Sequence, residues 1–95
     1  DDFETFSVKM GPLENVEQFT NNLQKLIDEN EVLRVKGFLN VKGKPLRLLV
    51  QAVGTRLSVN FTNTDPGITS VGNLVVIAEK NKANINGFTQ QLKGD

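Results

Sequence analysis

The fold of this chain is decided between residues 32 and 62, which read VLRVKGFLNVKGKPLRLLVQAVGTRLSVNFT. Apolar and polar side chains alternate before the turn-forming Lys42-Gly43-Lys44-Pro45 and again after Gly54-Thr55. A period of two is typical of strands with one buried face, and glycine and proline mark the turns between them. The pattern predicts three antiparallel strands, over 32–41, 46–53 and 56–62, joined as a meander.

The alternation also assigns a face to each side chain of these strands. In the first strand the inward residues are Leu33, Val35, Leu39 and Val41, and the residues on the opposite face are Arg34, Lys36, Phe38 and Asn40. In the last strand the inward residues are Leu57, Val59 and Phe61. The middle strand is nearly all apolar apart from Arg47 and Gln51, which predicts a central position in the sheet.

The segments outside the meander add two strands and two helices. Alternation over 3–10 and the apolar run over 74–79 predict strands. Helical spacing predicts an amphipathic helix from Val16, Phe19, Leu23, Leu26 and Ile27, with Asn15 as its N-cap, and a short terminal helix from Ile85, Phe88 and Leu92. Gly87 weakens the second helix, and the stretch from Thr64 to Gly72 is dense in turn formers and predicts a loop.

These segments describe one α+β domain over residues 1–95, in the order βαββββα. We expect a mostly antiparallel sheet of about five strands with two helices packed on one face. Residues 1–4 are interpreted as the end of an interdomain linker.

The composition excludes most catalytic schemes. The 95 residues contain neither histidine nor cysteine, so the commonest general base, the commonest transition-metal ligand and the thiol nucleophile are all missing. The net charge is zero, and no stretch is apolar enough to span a membrane or to act as a signal peptide. We therefore expect a cytoplasmic chain that is not an enzyme and binds no metal or cofactor of its own.

Two weak candidates for chemistry remain. The string GFLNVKGK at 37–44 resembles a phosphate-binding loop, but its glycines are one residue too far apart, and Pro45 stands where Ser or Thr is needed. Carboxylates cluster around the first helix as Glu14, Glu17, Asp28, Glu29 and Glu31, a pattern typical of a solvated helix face. Asp1, Asp2 and Glu4 could ligate a hard cation, but they lie at a chain end.

A basic sheet face is the strongest candidate for a binding surface in this sequence. If both helices cover one face, the other carries Arg34, Lys36, Phe38, Arg47, Gln51 and Arg56. Arginines on neighbouring strands can bind phosphate or an acidic protein surface. The alternatives are a merely solvated face and a small nucleic-acid-binding domain; nucleic acid is not expected, because a stacking platform needs two or three exposed aromatic rings and only Phe38 is a candidate.

Four segments together resemble the C-terminal domain of CobW-type proteins. They are PL at 12–13, VLRVKGF at 32–38 with its R-x-K-G pattern, LVQAVG at 49–54 and NLVVI at 73–77. They occur in the same order as in that domain, and a short terminal helix follows them, so the resemblance extends over nearly the whole chain. The chain departs from the family at Ala78-Glu79, where members often have glycine, so a tight turn there is not carried over.

The resemblance implies a parent protein with an N-terminal P-loop GTPase that uses GTP and Mg²⁺ and handles a transition metal such as zinc or cobalt. In such proteins a histidine-rich stretch commonly precedes this domain, and Asp1-Asp2 is interpreted as the end of that linker. The family implies cobalamin synthesis or metal homeostasis as the pathway. The domain is then expected to contact the GTPase domain or a client protein, through the basic sheet face or the loop over 64–72.

Overall fold

The helices and strands follow the predicted order βαββββα. The computed structural model describes residues 2–63 and 70–94. Its elements are β1 (Phe3–Lys9), α1 (Val16–Glu29), β2 (Val32–Leu39), β3 (Arg47–Val53), β4 (Arg56–Thr62), β5 (Asn73–Glu79) and α2 (Ile85–Lys93). Residues 3 and 4 thus belong to the sheet, and residues 64–69 of the predicted loop lie outside the described part of the chain.

The five strands form one antiparallel sheet in the order β1-β5-β2-β3-β4. The predicted meander of β2, β3 and β4 is confirmed. Strand β5 returns to the middle of the sheet and pairs with β1 on one side and with β2 on the other. Since β1 and β2 are both antiparallel to β5, they run parallel to each other, with α1 as the connection between them.

The core lies between one face of the sheet and the two helices. Helix α1 begins as predicted, because the Asn15 side chain accepts a hydrogen bond of 2.9 Å from the Gln18 N–H. Its apolar stripe is buried against the sheet, together with Phe88 and Leu92 of α2. The rings of Phe6 and Phe88 meet edge to face, with centroids 5.5 Å apart, so β1 and α2 are packed together.

The predicted inward face of Leu33 is wrong, because β2 contains a β-bulge at this position. The register of β2 against β5 shifts between Val32 and Arg34. An extra residue at a bulge reverses the faces of the residues on one side of it. Val32 is therefore buried, whereas Leu33, predicted to point inward, is 38% exposed. Phe61 is also more exposed than predicted, at 44%, because it lies near the end of the edge strand β4.

Gly37 explains why the R-x-K-G pattern ends in glycine. It lies in the middle of β2, opposite Leu74 of β5 and Val50 of β3. A Cβ atom at this position would collide with the backbone carbonyl oxygen of Asn73 and with the side chain of Leu74. Gly37 is thus a strand residue that lets β5 approach β2. The segment 37–44 runs from β2 into a turn that leads to another strand, whereas a phosphate-binding loop leads from a strand into a helix.

Asn30 ties the end of α1 to the start of α2. It is the one buried polar residue among those described, at 8% exposure. Its amide group donates a 2.8 Å hydrogen bond to the Leu26 carbonyl, and its Oδ1 accepts a 3.0 Å bond from the Asn84 N–H. Asn84 in turn caps α2 by accepting from the Gly87 N–H. This pairing fixes the two helices relative to each other.

Candidate interaction surface

The face of the sheet opposite the helices, called the open face below, contains all six residues that the sequence predicts for the interaction surface. Side chains alternate between the two faces along each strand, and residues paired across neighbouring strands lie on the same face. The open face comprises Phe3, Thr5, Ser7, Lys9, Arg34, Lys36, Phe38, Arg47, Leu49, Gln51, Val53, Arg56, Ser58, Asn60, Thr62, Asn73, Val75, Ile77 and Glu79.

Three of the predicted cations lie close together at one end of this face. Arg34 is paired with Val53, and Val53 is paired with Arg56 on the next strand. Lys36 follows Arg34 on the same face and is paired with Gln51. Directly paired Cβ atoms are about 4.5–5.5 Å apart, so Arg34 and Arg56, which flank Val53, lie about 10 Å apart.

Arg47 lies apart from this cluster, at the other end of β3. Arg47 and Val53 are the first and last residues of β3, about 20 Å apart along an extended strand. It is paired with Thr62 of β4. The six predicted residues therefore share a face but do not form one compact site.

Phe38 is on the open face but is not available to a partner. Only 7% of its surface is exposed, although it is not part of the main core cluster between sheet and helices. The expectation of an exposed aromatic ring at Phe38 is therefore wrong. Alternation along a strand assigns a face to a side chain, but it does not report what covers that face.

The open face is strongly basic although the chain is neutral. It carries the cations Lys9, Arg34, Lys36, Arg47 and Arg56 against the single carboxylate Glu79. Within residues 2–63 and 70–94, none of these cations forms an ion pair; the ion pair found there joins Lys42 to Glu14, 3.4 Å apart. The cations are thus free to meet acidic groups of another molecule.

Apolar side chains between the cations were missed by the sequence prediction. Val53 is 66% exposed and Val75 is 37% exposed, and both are paired with residues of the cation cluster. The signal is the near-continuous apolar run in each of β3 and β5. It predicts strands, with a central position for β3, but the set of interaction residues does not include these apolar side chains. A sheet with apolar residues on both faces also predicts that the second face meets another surface. Lys9, paired with Asn73, also lies on this face and is not among the six predicted residues.

The described residues offer no constellation for catalysis or metal binding. Because the chain has no histidine or cysteine, its strong metal ligands are the carboxylates of Asp and Glu. Among the described residues, no three of these carboxylates lie close enough together to hold a metal ion. The five carboxylates around α1 are all exposed, as predicted for a solvated helix face. Asp1 of the acidic N-terminal cluster lies outside the described residues, and the Glu4 carboxylate accepts a hydrogen bond from the Asn81 N–H.

An open groove of about 830 Å³ lies on the helix side, between the β1–α1 connection and the end of α2. Its charged side chains are Lys9, Glu14 and Lys93. These groups do not form a nucleophile and base pair, so the groove has no evident chemistry. Neither helix in the described residues has the length and hydropathy that a membrane span requires.

Comparison with known proteins assigns the family. The sequence model described as "Cobalamin synthesis protein cobW C-terminal domain" matches residues 3–93. The chain therefore belongs to the CobW C-terminal domain family, as the four ordered segments suggested.

Curated relatives and solved structures agree with this assignment. The chain is 47% identical over 57 residues to "Zinc chaperone CobW" of Sinorhizobium sp. and 49% identical over 39 residues to the protein of that name from Pseudomonas aeruginosa. These matches cover 60% and 41% of the chain but only 16% and 10% of the relatives. The fold is similar to that of the Zn(II)-bound YjiA GTPase from E. coli, with a TM-score of 0.78 and 21% identity, over 99% of this chain and 30% of that one.

Proposed function

We propose that this chain is the C-terminal accessory domain of a larger GTP-dependent zinc chaperone. We propose further that its role is to bind another protein domain and not to catalyse a reaction. The chain spans a small part of its curated relatives, which are named zinc chaperone CobW, and 30% of a GTPase of similar fold. The parent would use GTP and Mg²⁺ in another domain. Zinc homeostasis is favoured over cobalamin synthesis because both curated relatives are named for zinc.

The observation that carries the proposal is the unpaired cation cluster of Arg34, Lys36 and Arg56 beside exposed Val53. Protein interfaces combine apolar contacts with arginine side chains, which bind carboxylates in a two-pronged geometry. We propose that the open face docks onto an acidic surface, with the GTPase domain of the same polypeptide as the first candidate. A client metalloprotein is the second candidate.

A nucleic-acid-binding function is less well supported. The same basic face favours it, but Phe38, the one aromatic ring predicted for base stacking, is buried. The remaining cations could contact phosphate only. Such binding would be independent of sequence and would weaken steeply with salt.

The test is a binding titration of the chain against the separately produced GTPase domain of its parent protein. The triple variant R34E, K36E and R56E reverses the cluster, and we expect it to weaken binding about tenfold or more, because each acidic partner group would then face a carboxylate. The matched control K25E, K44E and K82E changes the net charge by the same amount on exposed residues away from the open face.

Equal weakening in both triple variants would indicate a general effect of charge and would contradict docking through this cluster. Unchanged binding in both would also contradict it. The chain could instead bind the client and not the GTPase domain. If the triple variant then weakens client binding and the control does not, the client is the partner of the open face.

A further inference from the structure

Strand β4 presents a free backbone edge. It is paired with β3 on one side, and the described residues supply no strand on the other side. A two-residue turn, Gly54-Thr55, joins the two strands, and the φ of 59° at Gly54 is typical of a type II′ hairpin turn. In such a hairpin the closing pair, Val53 and Arg56, is hydrogen-bonded, and hydrogen-bonded pairs then alternate along the strands.

It follows which backbone groups of β4 point outward. Arg56, Ser58 and Asn60 direct their N–H and C=O groups toward β3. Leu57, Val59 and Phe61 therefore direct theirs to the free edge, and no backbone partner for them exists among the described residues. The side chains of these same three residues lie on the helix side of the sheet, where they are half-buried or, for Phe61, 44% exposed.

The opposite edge of the sheet carries protection that β4 lacks. On β1, Glu4 is paired with the buried Ala78, so a carboxylate lies on the helix side of the edge strand, and Gly11-Pro12 follows the strand. Inward charges, lysines, prolines and bulges are the usual devices that prevent edge strands from pairing. Strand β4 has a regular register and contains no lysine, proline or inward charge.

The sequence of β4 is complementary to itself. We propose that β4 pairs with β4 of a second copy of this chain, antiparallel about a two-fold axis through Val59. This register sets Val59 against Val59 and Leu57 against Phe61 on the helix side, and Ser58 against Asn60 and Arg56 against Thr62 on the open face. No like charges are opposed, and all three apolar side chains meet apolar partners. The two sheets join into one of ten strands.

The pairing would satisfy the outward N–H and C=O groups of Leu57, Val59 and Phe61 in both copies. A single pair of strands buries little surface, so the dimer is weak and depends on concentration. It does not rest on the proposed function, because it uses the backbone edge and helix-side side chains of β4, whereas the proposed docking uses the cation cluster on the opposite face. Each can fail without the other.

The first experiment is sedimentation equilibrium of the chain from about 10 μM to about 1 mM, a range that brackets weak association. We expect the weight-average mass to rise from one chain toward two and to stop there. Hydrogen exchange provides the matched readout within the strand. The amides of Leu57, Val59 and Phe61 should become protected as the concentration rises, whereas those of Ser58 and Asn60, bonded to β3, are protected throughout.

Two substitutions distinguish pairing through β4 from non-specific hydrophobic association. Phe61→Lys should raise the dimer dissociation constant about tenfold, because both symmetric contacts with Leu57 are lost. Leu46→Lys introduces a lysine at another apolar residue of nearly equal exposure, 43%, outside the strands, and should leave the dimer intact.

Any of three results would overturn the proposal. The chain could remain a monomer throughout, as expected if the edge is reserved for another segment of a longer polypeptide. The mass could grow beyond two chains, which would indicate pairing of unlike edges. Leu46→Lys could weaken association as much as Phe61→Lys, which would show that β4 is not the contact.

Discussion

At the scale of single residues, Gly37 shows how a short pattern acquires a physical cause. Its position between β3 and β5 leaves no room for a side chain, because the Asn73 carbonyl and Leu74 occupy the space. The glycine of the R-x-K-G pattern is therefore needed for strand packing. The arginine and lysine of the same pattern, Arg34 and Lys36, point to the open face and are free for binding.

We expect Gly37→Ala to lower the free energy of unfolding by about 1–3 kcal/mol, because the added methyl group forces β5 away from β2. Urea denaturation followed by circular dichroism would measure the change. The control is Gly11→Ala, where the space around a Cβ is empty and φ is not positive. Equal effects of the two substitutions would show that the loss of backbone freedom, and not the collision, decides the role of Gly37.

At the scale of elements, the bulge in β2 determines which side chains enter the core. Strict alternation over 32–41 predicts that Leu33 points inward. The extra residue between Val32 and Arg34 instead buries Val32 and exposes Leu33, while the faces from Arg34 onward remain as predicted. The cation cluster of the open face survives because the bulge lies before Arg34.

The bulge can be tested by two alanine substitutions at adjacent positions. Val32→Ala should lower the free energy of unfolding by about 1–3 kcal/mol, since a side chain 4% exposed loses its buried methyl groups. Leu33→Ala should change it by about 0.5 kcal/mol or less. Chemical denaturation of both variants is the measurement. The reverse order of effects would mean that β2 keeps strict alternation and has no bulge.

At the scale of the whole molecule, a neutral chain separates its charges by surface. The carboxylates around α1 lie on the helix side, and the cations of β2, β3 and β4 lie on the open face. The described part of the chain contains no cluster of metal ligands, and the whole sequence has no histidine or cysteine. The zinc of the proposed parent protein would therefore be held elsewhere in that protein.

We expect excess Zn²⁺ to leave the thermal unfolding midpoint of this chain unchanged within about 1 °C, because a ligand that does not bind the folded state adds no stability. Calorimetry with Zn²⁺, with Mg²⁺ and with a chelator would measure it. A midpoint that rises with Zn²⁺ alone would contradict the prediction and would direct attention to the acidic residues, including Asp1 and Asp2.

The sequence by itself determined the type and order of the elements, the cap and buried stripe of α1, the β2-β3-β4 meander and the face on which Arg34, Lys36 and Arg56 lie. These properties depend on neighbours in the chain, through the periods of 3.6 and 2 and the turn residues between them. Only the tertiary structure decided that β5 pairs between β1 and β2, that Val32 replaces Leu33 in the core, that Phe38 is buried and that Asn30 joins the two helices. Each of these depends on contacts between residues distant in sequence, and local periodicity carries no information about which distant strand or side chain will fill a given space.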